Sequence, residues 1–223
     1  MNEEVKIEGD LIFTDEDQVL NAYEQKSNGL AYPISLDMRD LVLETEDQGK
    51  TNQCAAYTAS SWIESIMWRR TGRPINYDPA KLYKYAKSKE PTMNDGGLTM
   101  PQIMNAIIEM NYCPGCTKSD ITYIRNADDL KRAIHRYGTC LLGFSITESW
   151  LKHNTLVMTG YSGKCLGGHA VICCGYNNIG VFIQNSWSKN WGKYGFACIS
   201  WNVFNSQFRC GAYIKNCLND VEN

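Results

Sequence analysis

The chain has 223 residues, of which 43% are hydrophobic and 21% are charged, and its formal net charge is −2 at pH 7. This composition is close to that of soluble globular proteins, and it excludes a disordered chain, a collagen-like fibre and a coiled coil. The longest apolar runs, such as residues 170–174, are far shorter than the roughly 18–20 residues of a membrane span, so we expect no membrane partner. The nearly neutral net charge argues against a nucleic-acid partner held by bulk charge.

The charge is unevenly distributed along the chain. Residues 1–30 carry eight acids and two lysines, a net charge of −6, whereas the remaining residues carry 20 bases and 16 acids, a net charge of +4. The sequence thus predicts an acidic arm over residues 1–30, followed by one domain over residues 31–223. Two interpretations of the arm stay open: a solvated tail, or a segment docked on the body by its charge and its apolar residues.

The cysteine content predicts thiols rather than a disulfide scaffold. Ten cysteines in 223 residues are too few for such a scaffold. The chain as given opens Met1-Asn2-Glu3-Glu4, without the basic and apolar regions of a signal peptide. We therefore expect a cytoplasmic or otherwise reducing compartment, or a virion, in which the thiols stay reduced.

One pair of cysteines, in Cys113-Pro114-Gly115-Cys116, has the spacing of half a zinc knuckle. A structural zinc site needs four ligands, and the sequence offers no second pair of this kind. A zinc ligand pair, a redox pair and a plain Pro-Gly turn all remain open, and the turn is favoured. We predict no metal and no cofactor.

Apolar spacing predicts helices in the first half of the chain and strands in the second. The predicted helices are 54–72, ended by Gly72; a helix from Pro79 to about residue 87; a helix capped by Thr99; and 127–137, capped by Asn126 and stopped by Gly138. The predicted strands are 140–146, 169–176, 181–185 and 194–201. Helices followed by strands indicate an α+β protein with two lobes.

Cys54 differs from the other cysteines because it begins the first predicted helix. The dipole and the unpaired N–H groups of a helix N-terminus lower the pKa of a thiol, and the thiolate is the attacking species in acyl transfer. Such a thiolate needs an imidazole partner, and the chain has only three histidines. His135 lies among charged residues and is expected to be solvated, and His153 lies in a loop and is expected to have no function, whereas His169 lies at the start of an apolar strand.

Five segments resemble, in the same order, those of the papain family of cysteine peptidases. They are residues 32–39, similar to the start of the mature domain; Asp47-Gln48-Gly49 followed by Cys54; Asn94-Asp95-Gly96-Gly97; Gly167-Gly168-His169-Ala170-Val171 followed by Gly175-Tyr176; and Gln184-Asn185-Ser186-Trp187 followed by Trp191-Gly192 and Gly195-Phe196. The resemblance covers about residues 32–215. Each segment alone is a weak signal, but five segments in this order form a strong one.

The resemblance implies a two-lobed papain-like fold and cysteine endopeptidase activity. The helical left lobe would span about residues 48–137, and the antiparallel β-sheet or barrel of the right lobe about residues 138–215 together with the start of the chain. The active-site cleft would lie between the lobes. In it, Cys54 would be the nucleophile, His169 its imidazolium partner, and Asn185 the residue that orients the imidazole. The Gln48 side chain would stabilise the oxyanion.

The family's substrate groove maps onto a second set of residues. By resemblance, Gly96 and Gly97 would pair with the backbone of a peptide or protein substrate. The remaining residues expected to contact substrate or to line the cleft are Leu98, Thr99, Met100, Gly143, Gly168, Ala170 and Trp187. Trp187 would also shield the bond between histidine and asparagine from water. Since Gly143 has no side chain, we expect a roomy pocket for an apolar residue at the second position before the scissile bond.

The sequence departs from the family pattern in ways that leave other functions open. Ala55 follows Cys54 where many members have an aromatic residue, and only about 30 residues precede the domain, which suggests a prokaryotic or phage-type member without a long propeptide. Cys165 and Cys210 lie near positions that many members bridge, although thiols are favoured. The alternatives are amidase or transpeptidase chemistry at the same site, or use as a structural component of an assembly with unknown partners.

Overall fold

The computed structural model describes residues 9–12, 32–89 and 96–217, with side chains from residue 32 onwards. Asn94 and Asp95 lie outside these residues, and so does the acidic arm apart from residues 9–12. None of the helices in the described ranges is long and apolar enough to cross a membrane.

The helices begin and end at residues with clear local signals. Those described are α1 (Cys54–Thr71), α2 (Pro79–Lys89), α3 (Met100–Glu109), α4 (Ala127–Tyr137), α5 (Glu148–Leu151) and α6 (Trp201–Gln207). Gly72 ends α1 in the left-handed conformation, with a φ of 67°, and donates its N–H to the carbonyl of Trp68. The Thr99 side chain caps α3, and that of Asn126 caps α4. These three boundaries agree with the sequence prediction.

A mixed, mostly antiparallel sheet forms the rest of the fold. Its described strands are β1 (Gly9–Ile12), β2 (Leu36–Asp37), β3 (Leu98–Thr99), β4 (Ile121–Ile124), β5 (Cys140–Thr147), β6 (Val157–Met158), β7 (Cys165–Tyr176), β8 (Gly180–Gln184), β9 (Phe196–Ser200) and β10 (Phe208–Ile214). The order along the main path is β4-β10-β5-β7-β8-β9-β6. The longest of these strands, β7, pairs with β5 on one side and β8 on the other.

Several elements differ from the sequence prediction, which did not include β6, β10, α5 or α6. Strand β4 lies in the half of the chain predicted as helical, where it pairs with β10. The strand predicted over residues 194–201 is shorter and ends at Ser200. The reason is local, because the Ser200 side chain accepts a hydrogen bond from the N–H of Val203 and thereby caps helix α6.

The sheet separates two hydrophobic cores. In β7, Ala170 and Ile172 pack with the helices, whereas Val171 and Cys173 pack with the β lobe. The same alternation divides the residues of β5, because successive side chains of a strand point to opposite faces. The architecture is therefore the α+β, two-lobed one that the sequence predicts.

The expectation that the cysteines remain thiols is wrong for one pair, since Cys113 and Cys217 form a disulfide. The alternative of a bridge between Cys165 and Cys210 is excluded by strand register. Cys210 pairs with Gly143 and Cys165 with Thr147 on opposite sides of β5. Those two β5 positions lie about 13 Å apart at the usual strand rise, which is too far for a disulfide.

Capping of α4 provides a test of this local reasoning. Asn126 Oδ1 accepts a hydrogen bond of 2.8 Å from the N–H of Asp129. We expect Asn126→Ala to lower the free energy of unfolding by about 1 kcal/mol in urea titrations, because the helix loses its cap. Asn126→Asp retains a capping oxygen and should stay within a few tenths of a kcal/mol of the parent. Equal stability of the Ala and Asp variants would contradict this account.

Candidate active site

Cys54 lies at the start of α1, as expected, and its side chain is fully buried. The preceding residue, Gln53, makes no side-chain capping bond to the helix. Cys54 therefore lies at the positive end of the helix dipole, where no N-cap side chain is bonded to the helix.

Helix α1 is fixed to the strand that carries His169. Thr58, one turn after Cys54, donates its hydroxyl to the carbonyl of Ala170 over 3.0 Å. Both partners are buried, so this hydrogen bond is protected from water. It sets the position of α1 relative to the residue next to His169.

His169 and Asn185 are brought together as the sequence predicts. Antiparallel pairing of β7 and β8 places Asn185, which follows β8, beside His169. His169 Nε2 and Asn185 Oδ1 are 2.7 Å apart, and both residues are buried. The N–H of Ser186 also donates to Asn185 Oδ1, over 2.8 Å, which identifies that atom as the amide oxygen. An amide oxygen only accepts, so Nε2 carries the proton and Nδ1 carries the lone pair of the neutral ring.

Two tryptophans enclose the imidazole. The ring of Trp187 lies 4.4 Å from that of His169, centre to centre, and Trp150 makes an edge contact at 6.5 Å. Burial lowers the pKa of His169 to about 4, while the hydrogen bond to Asn185 acts in the opposite direction. Taken alone, the imidazole is therefore neutral at pH 7.

Gln48 is held against the same loop as Asn185. Its Oε1 accepts a 2.7 Å hydrogen bond from the hydroxyl of Ser186, and its Nε2 donates to the carbonyl of Thr51 over 2.9 Å. Its backbone N–H donates to the carbonyl of Ser186 over 2.9 Å. Two hydrogen bonds thus orient the side chain and a third holds the backbone of a residue that is only 3% exposed.

The residues expected to contact substrate fall into two groups. Gly96 and Gly97 precede β3, and their carbonyls accept hydrogen bonds from Tyr83 Oη and Lys87 Nζ. The others expected to line the groove are largely buried, with only Trp187 partly exposed: Leu98, Thr99, Met100, Gly143, Gly168, Ala170 and Trp187. Gly143 and Ala170 are opposite each other on β5 and β7. That these residues form a specificity pocket stays a prediction.

Strand β1, from the acidic arm, lies between β3 and β7, two of the strands that carry these residues. On one side it pairs in parallel with β3, opposite Leu98 and Thr99. On the other side it pairs in parallel with Gly167 and Gly168 of β7, directly before His169. Of the two interpretations of the arm, residues 9–12 therefore follow the docked one.

Sequence reasoning did not single out Thr51, Thr58 or Ser186. The hydroxyls of Thr58 and Ser186 each reach an acceptor more than 100 residues away in the chain. For Ser186 the only sequence signal is its place in the Asn185-Ser186-Trp187 segment. Thr51 contributes a carbonyl, which every residue has, so its type carries no signal for this contact.

Comparisons with known proteins agree with this fold. A family model described as "Papain family cysteine protease" matches residues 83–217, a range that contains His169 and Asn185 but not Cys54. The probable cysteine protease RDL2 of Arabidopsis thaliana is 25% identical over 219 residues, covering 82% of this chain and 59% of that protein. Macrodontain-1 of Ananas macrodontes is 24% identical over 203 residues, covering 81% of this chain and 95% of that protein.

Among solved structures, xylellain, a cysteine protease from Xylella fastidiosa, superposes with a TM-score of 0.69 at 19% identity. The superposition covers 96% of this chain and 98% of that one. The chain belongs to the papain family of cysteine proteases, which are hydrolases. It spans little more than half the length of the Arabidopsis relative. Because the two sequence relatives named above are plant proteins, they do not support the expected prokaryotic or phage origin.

Burial of His169 predicts a pH dependence of stability. Its pKa is about 4 in the folded chain and about 6.5 when unfolded, so below pH 6.5 the unfolded state binds a proton that the folded state does not. This difference destabilises the fold as the pH falls from 6.5 towards 4, by up to about 1.4 kcal/mol per pH unit.

His169→Gln removes this contribution, so its unfolding free energy should fall less steeply over the same pH range. Urea titrations of both proteins at several pH values measure the two slopes. His135→Gln, at an exposed histidine of α4, is the matched control and should retain the parental slope. Identical slopes for the parent and His169→Gln would contradict the assignment.

Proposed function

We propose that the chain is a cysteine endopeptidase that cleaves peptide bonds through Cys54, His169, Asn185 and Gln48. The observation that carries the proposal is the buried 2.7 Å hydrogen bond between His169 and Asn185. His169 belongs to β7, and Thr58 ties that strand to α1, the helix that begins with Cys54. A nucleophile, a base and a group that orients the base are the components of a Cys-His-Asn site.

The proposed first half-reaction forms a thioester. His169 Nδ1 takes the proton of the Cys54 thiol, and the sulfur attacks the carbonyl carbon of the substrate. The resulting oxyanion is stabilised by the Gln48 side-chain amide and the Cys54 backbone N–H; losing one such donor typically costs about 10²–10³ in rate. As the C–N bond breaks, His169 Nδ1 gives its proton to the leaving amine, and an acyl group remains on Cys54.

The second half-reaction releases the acid. His169 Nδ1 takes a proton from water, whose oxygen attacks the thioester carbonyl. Collapse of the tetrahedral intermediate frees the carboxylic acid, and the proton on His169 returns to the sulfur. Throughout the cycle Asn185 Oδ1 accepts from Nε2, which keeps Nδ1 as the nitrogen that exchanges protons.

The resting ionisation of the site depends on both reacting groups. Burial alone keeps His169 neutral at pH 7. A thiolate beside the ring acts in the opposite direction, because a negative charge stabilises the imidazolium. We therefore propose that Cys54 and His169 ionise together, with one proton shared by the pair.

Peptides and proteins are the proposed substrates. Their backbone would pair at the edges formed by Gly96 and Gly97 on one lobe and Gly168 on the other. Strand β1 uses the same region, since it pairs with Leu98 and Thr99 directly after the two glycines and with Gly168 itself. We therefore propose that the arm competes with the substrate.

Alkylation by a thiol-directed epoxide tests the site. At pH 6 an ordinary thiol, with a pKa near 8.5, is almost entirely protonated. We expect Cys54 to be alkylated at this pH at least tenfold faster than the exposed thiol of Cys165, with mass spectrometry locating both adducts. His169→Ala should abolish this difference.

The control variant His135→Ala changes an exposed histidine and should retain rapid labelling of Cys54. A parallel assay follows hydrolysis of a mixed peptide library, which Cys54→Ala should reduce to background. A Cys54 that is labelled no faster than Cys165, with the arm present or removed, would refute the enzyme and favour the structural alternative. Rapid labelling without peptide hydrolysis would instead point to amidase or transpeptidase chemistry.

Truncation tests the proposed competition by the arm. Removing residues 1–12 deletes β1, whereas removing residues 1–8 leaves it in place. We expect kcat/KM for peptides to rise on the order of tenfold in the shorter chain, the equivalent of about 1.4 kcal/mol of competing binding. The chain that keeps β1 should behave as the parent does. Equal kcat/KM values for the two truncated chains would rule out competition by β1.

A further inference from the structure

Three cysteine sulfurs form a cluster that the peptidase chemistry does not use. Cys113 is bonded to Cys217, and the sulfur of Cys116 lies 3.3 Å from that of Cys217. All three sulfur atoms lie within 4.8 Å of one another. A thiol in contact with a disulfide is close enough for thiol–disulfide exchange to begin.

The two cysteines of the turn are held on the same side by the turn itself. Pro114 and Gly115 form its corner, with Gly115 at a φ of +83°, and the N–H of Cys116 donates to the carbonyl of Cys113 over 3.1 Å. Arg70 of α1 donates to the carbonyl of Pro114. The turn thus holds the sulfurs of Cys113 and Cys116 close to that of Cys217.

The segment that carries Cys217 is anchored independently of its sulfur. The N–H of Lys215 donates to the carbonyl of Asp120 over 3.0 Å, and the Asn216 side-chain amide donates to the Asp120 carboxylate. Asp120 itself accepts hydrogen bonds from Thr117, directly after Cys116. Cys217 therefore keeps its place beside the turn whichever sulfur it is bonded to.

We propose that Cys113, Cys116 and Cys217 form a disulfide-exchange site in which Cys217 bonds alternately to the two cysteines of the turn. The Cys116 thiol loses its proton to solvent, and the thiolate attacks the sulfur of Cys217. The bond between Cys116 and Cys217 forms as that between Cys113 and Cys217 breaks, and Cys113 leaves as a thiolate that takes up a proton. No electrons are gained or lost, so the step needs no oxidant or reductant.

The three sulfurs differ in access to solvent. Cys113 and Cys217 are buried, whereas Cys116 is partly exposed. Burial raises the pKa of the Cys116 thiol and Asp120 acts in the same direction, while Arg70 opposes them. Since the thiolate is the attacking species, exchange accelerates as the pH rises and is arrested by acid.

The cross-link joins the loop after α3, in the helical lobe, to the segment that follows β10. Both bonded forms keep this connection, which closes a loop of about one hundred residues. Because Cys116 can take the place of Cys113 in the bond to Cys217, either disulfide connects these two elements. The exchange does not involve Cys54 and does not depend on peptidase activity.

Disulfide mapping of the full chain tests the proposal. The protein is equilibrated in a glutathione redox buffer at pH 8, quenched with acid, alkylated with N-ethylmaleimide at low pH and digested for mass spectrometry. We expect two cross-linked peptides, one joining Cys217 to Cys113 and one joining it to Cys116. The Cys165→Ser control, at an exposed cysteine of β7, should give the same two peptides.

Single variants provide the sharper test. Cys113→Ser should retain a disulfide, now between Cys116 and Cys217, and Cys116→Ser should retain the bond between Cys113 and Cys217. The double variant, Cys113→Ser with Cys116→Ser, should lose the cross-link. Its unreduced chain should therefore no longer migrate faster than the reduced chain on denaturing gels. Circular dichroism establishes that each variant is folded.

Two results would overturn the proposal. In one, the wild-type chain yields only the Cys113–Cys217 peptide at every pH, and folded Cys113→Ser leaves Cys116 and Cys217 fully alkylated. In the other, the chain purified without chelator carries one zinc ion and no cross-link, and the ion is lost in the double variant. That second outcome would make the cluster a three-thiolate metal site.

Discussion

The hydrogen bond between His169 Nε2 and Asn185 Oδ1 is the contact on which the proposed chemistry depends. It exists because β7 and β8 are antiparallel neighbours, which brings together two residues sixteen positions apart. Its length is 2.7 Å, and the ring of Trp187 lies against the imidazole. Because the amide oxygen also accepts from Ser186, the amide cannot rotate without losing two hydrogen bonds. The proton on Nε2, and hence the lone pair on Nδ1, follows from that orientation.

Three sets of contacts join the two lobes around this bond. Thr58 ties α1 to β7, Ser186 ties Gln48 to the Asn185 loop, and β1 pairs with both lobes. The first is a single hydrogen bond with buried partners, and in the second Ser186 is bonded to Gln48 through both its hydroxyl and its carbonyl. Removing either hydroxyl leaves a buried acceptor unsatisfied and costs about 1–3 kcal/mol. The third is a backbone ladder supplied by the arm. A substrate that displaces β1 can replace its backbone hydrogen bonds with equivalent ones. Of the three sets of contacts, the pairing of β1 is therefore the one that a substrate can take over.

The sequence predicts those features of the fold that depend on interactions between neighbouring residues. Gly72, Thr99 and Asn126 bound helices as expected, because caps act on neighbouring residues. Short apolar runs bounded by turn residues predicted strands β5, β7, β8 and β9, and five ordered segments indicated the family. Contacts between distant residues were beyond this reasoning: Ser186 and Thr58 have hydroxyls whose acceptors depend on the tertiary fold. Cys217 lies 104 residues from Cys113, so the short Cys113–Cys116 motif gave no sign of its third member.

Strand β7 has a role beyond carrying His169. Its alternate side chains belong to different cores, with Ala170 and Ile172 on the helical side and Val171 and Cys173 on the other. Close-packed interiors transmit volume changes, so a substitution in either core moves the same strand. A substitution that repacks one lobe therefore also shifts the strand that carries His169. Random mutagenesis with selection for stability should consequently yield pairs of compensating substitutions on opposite faces of this strand.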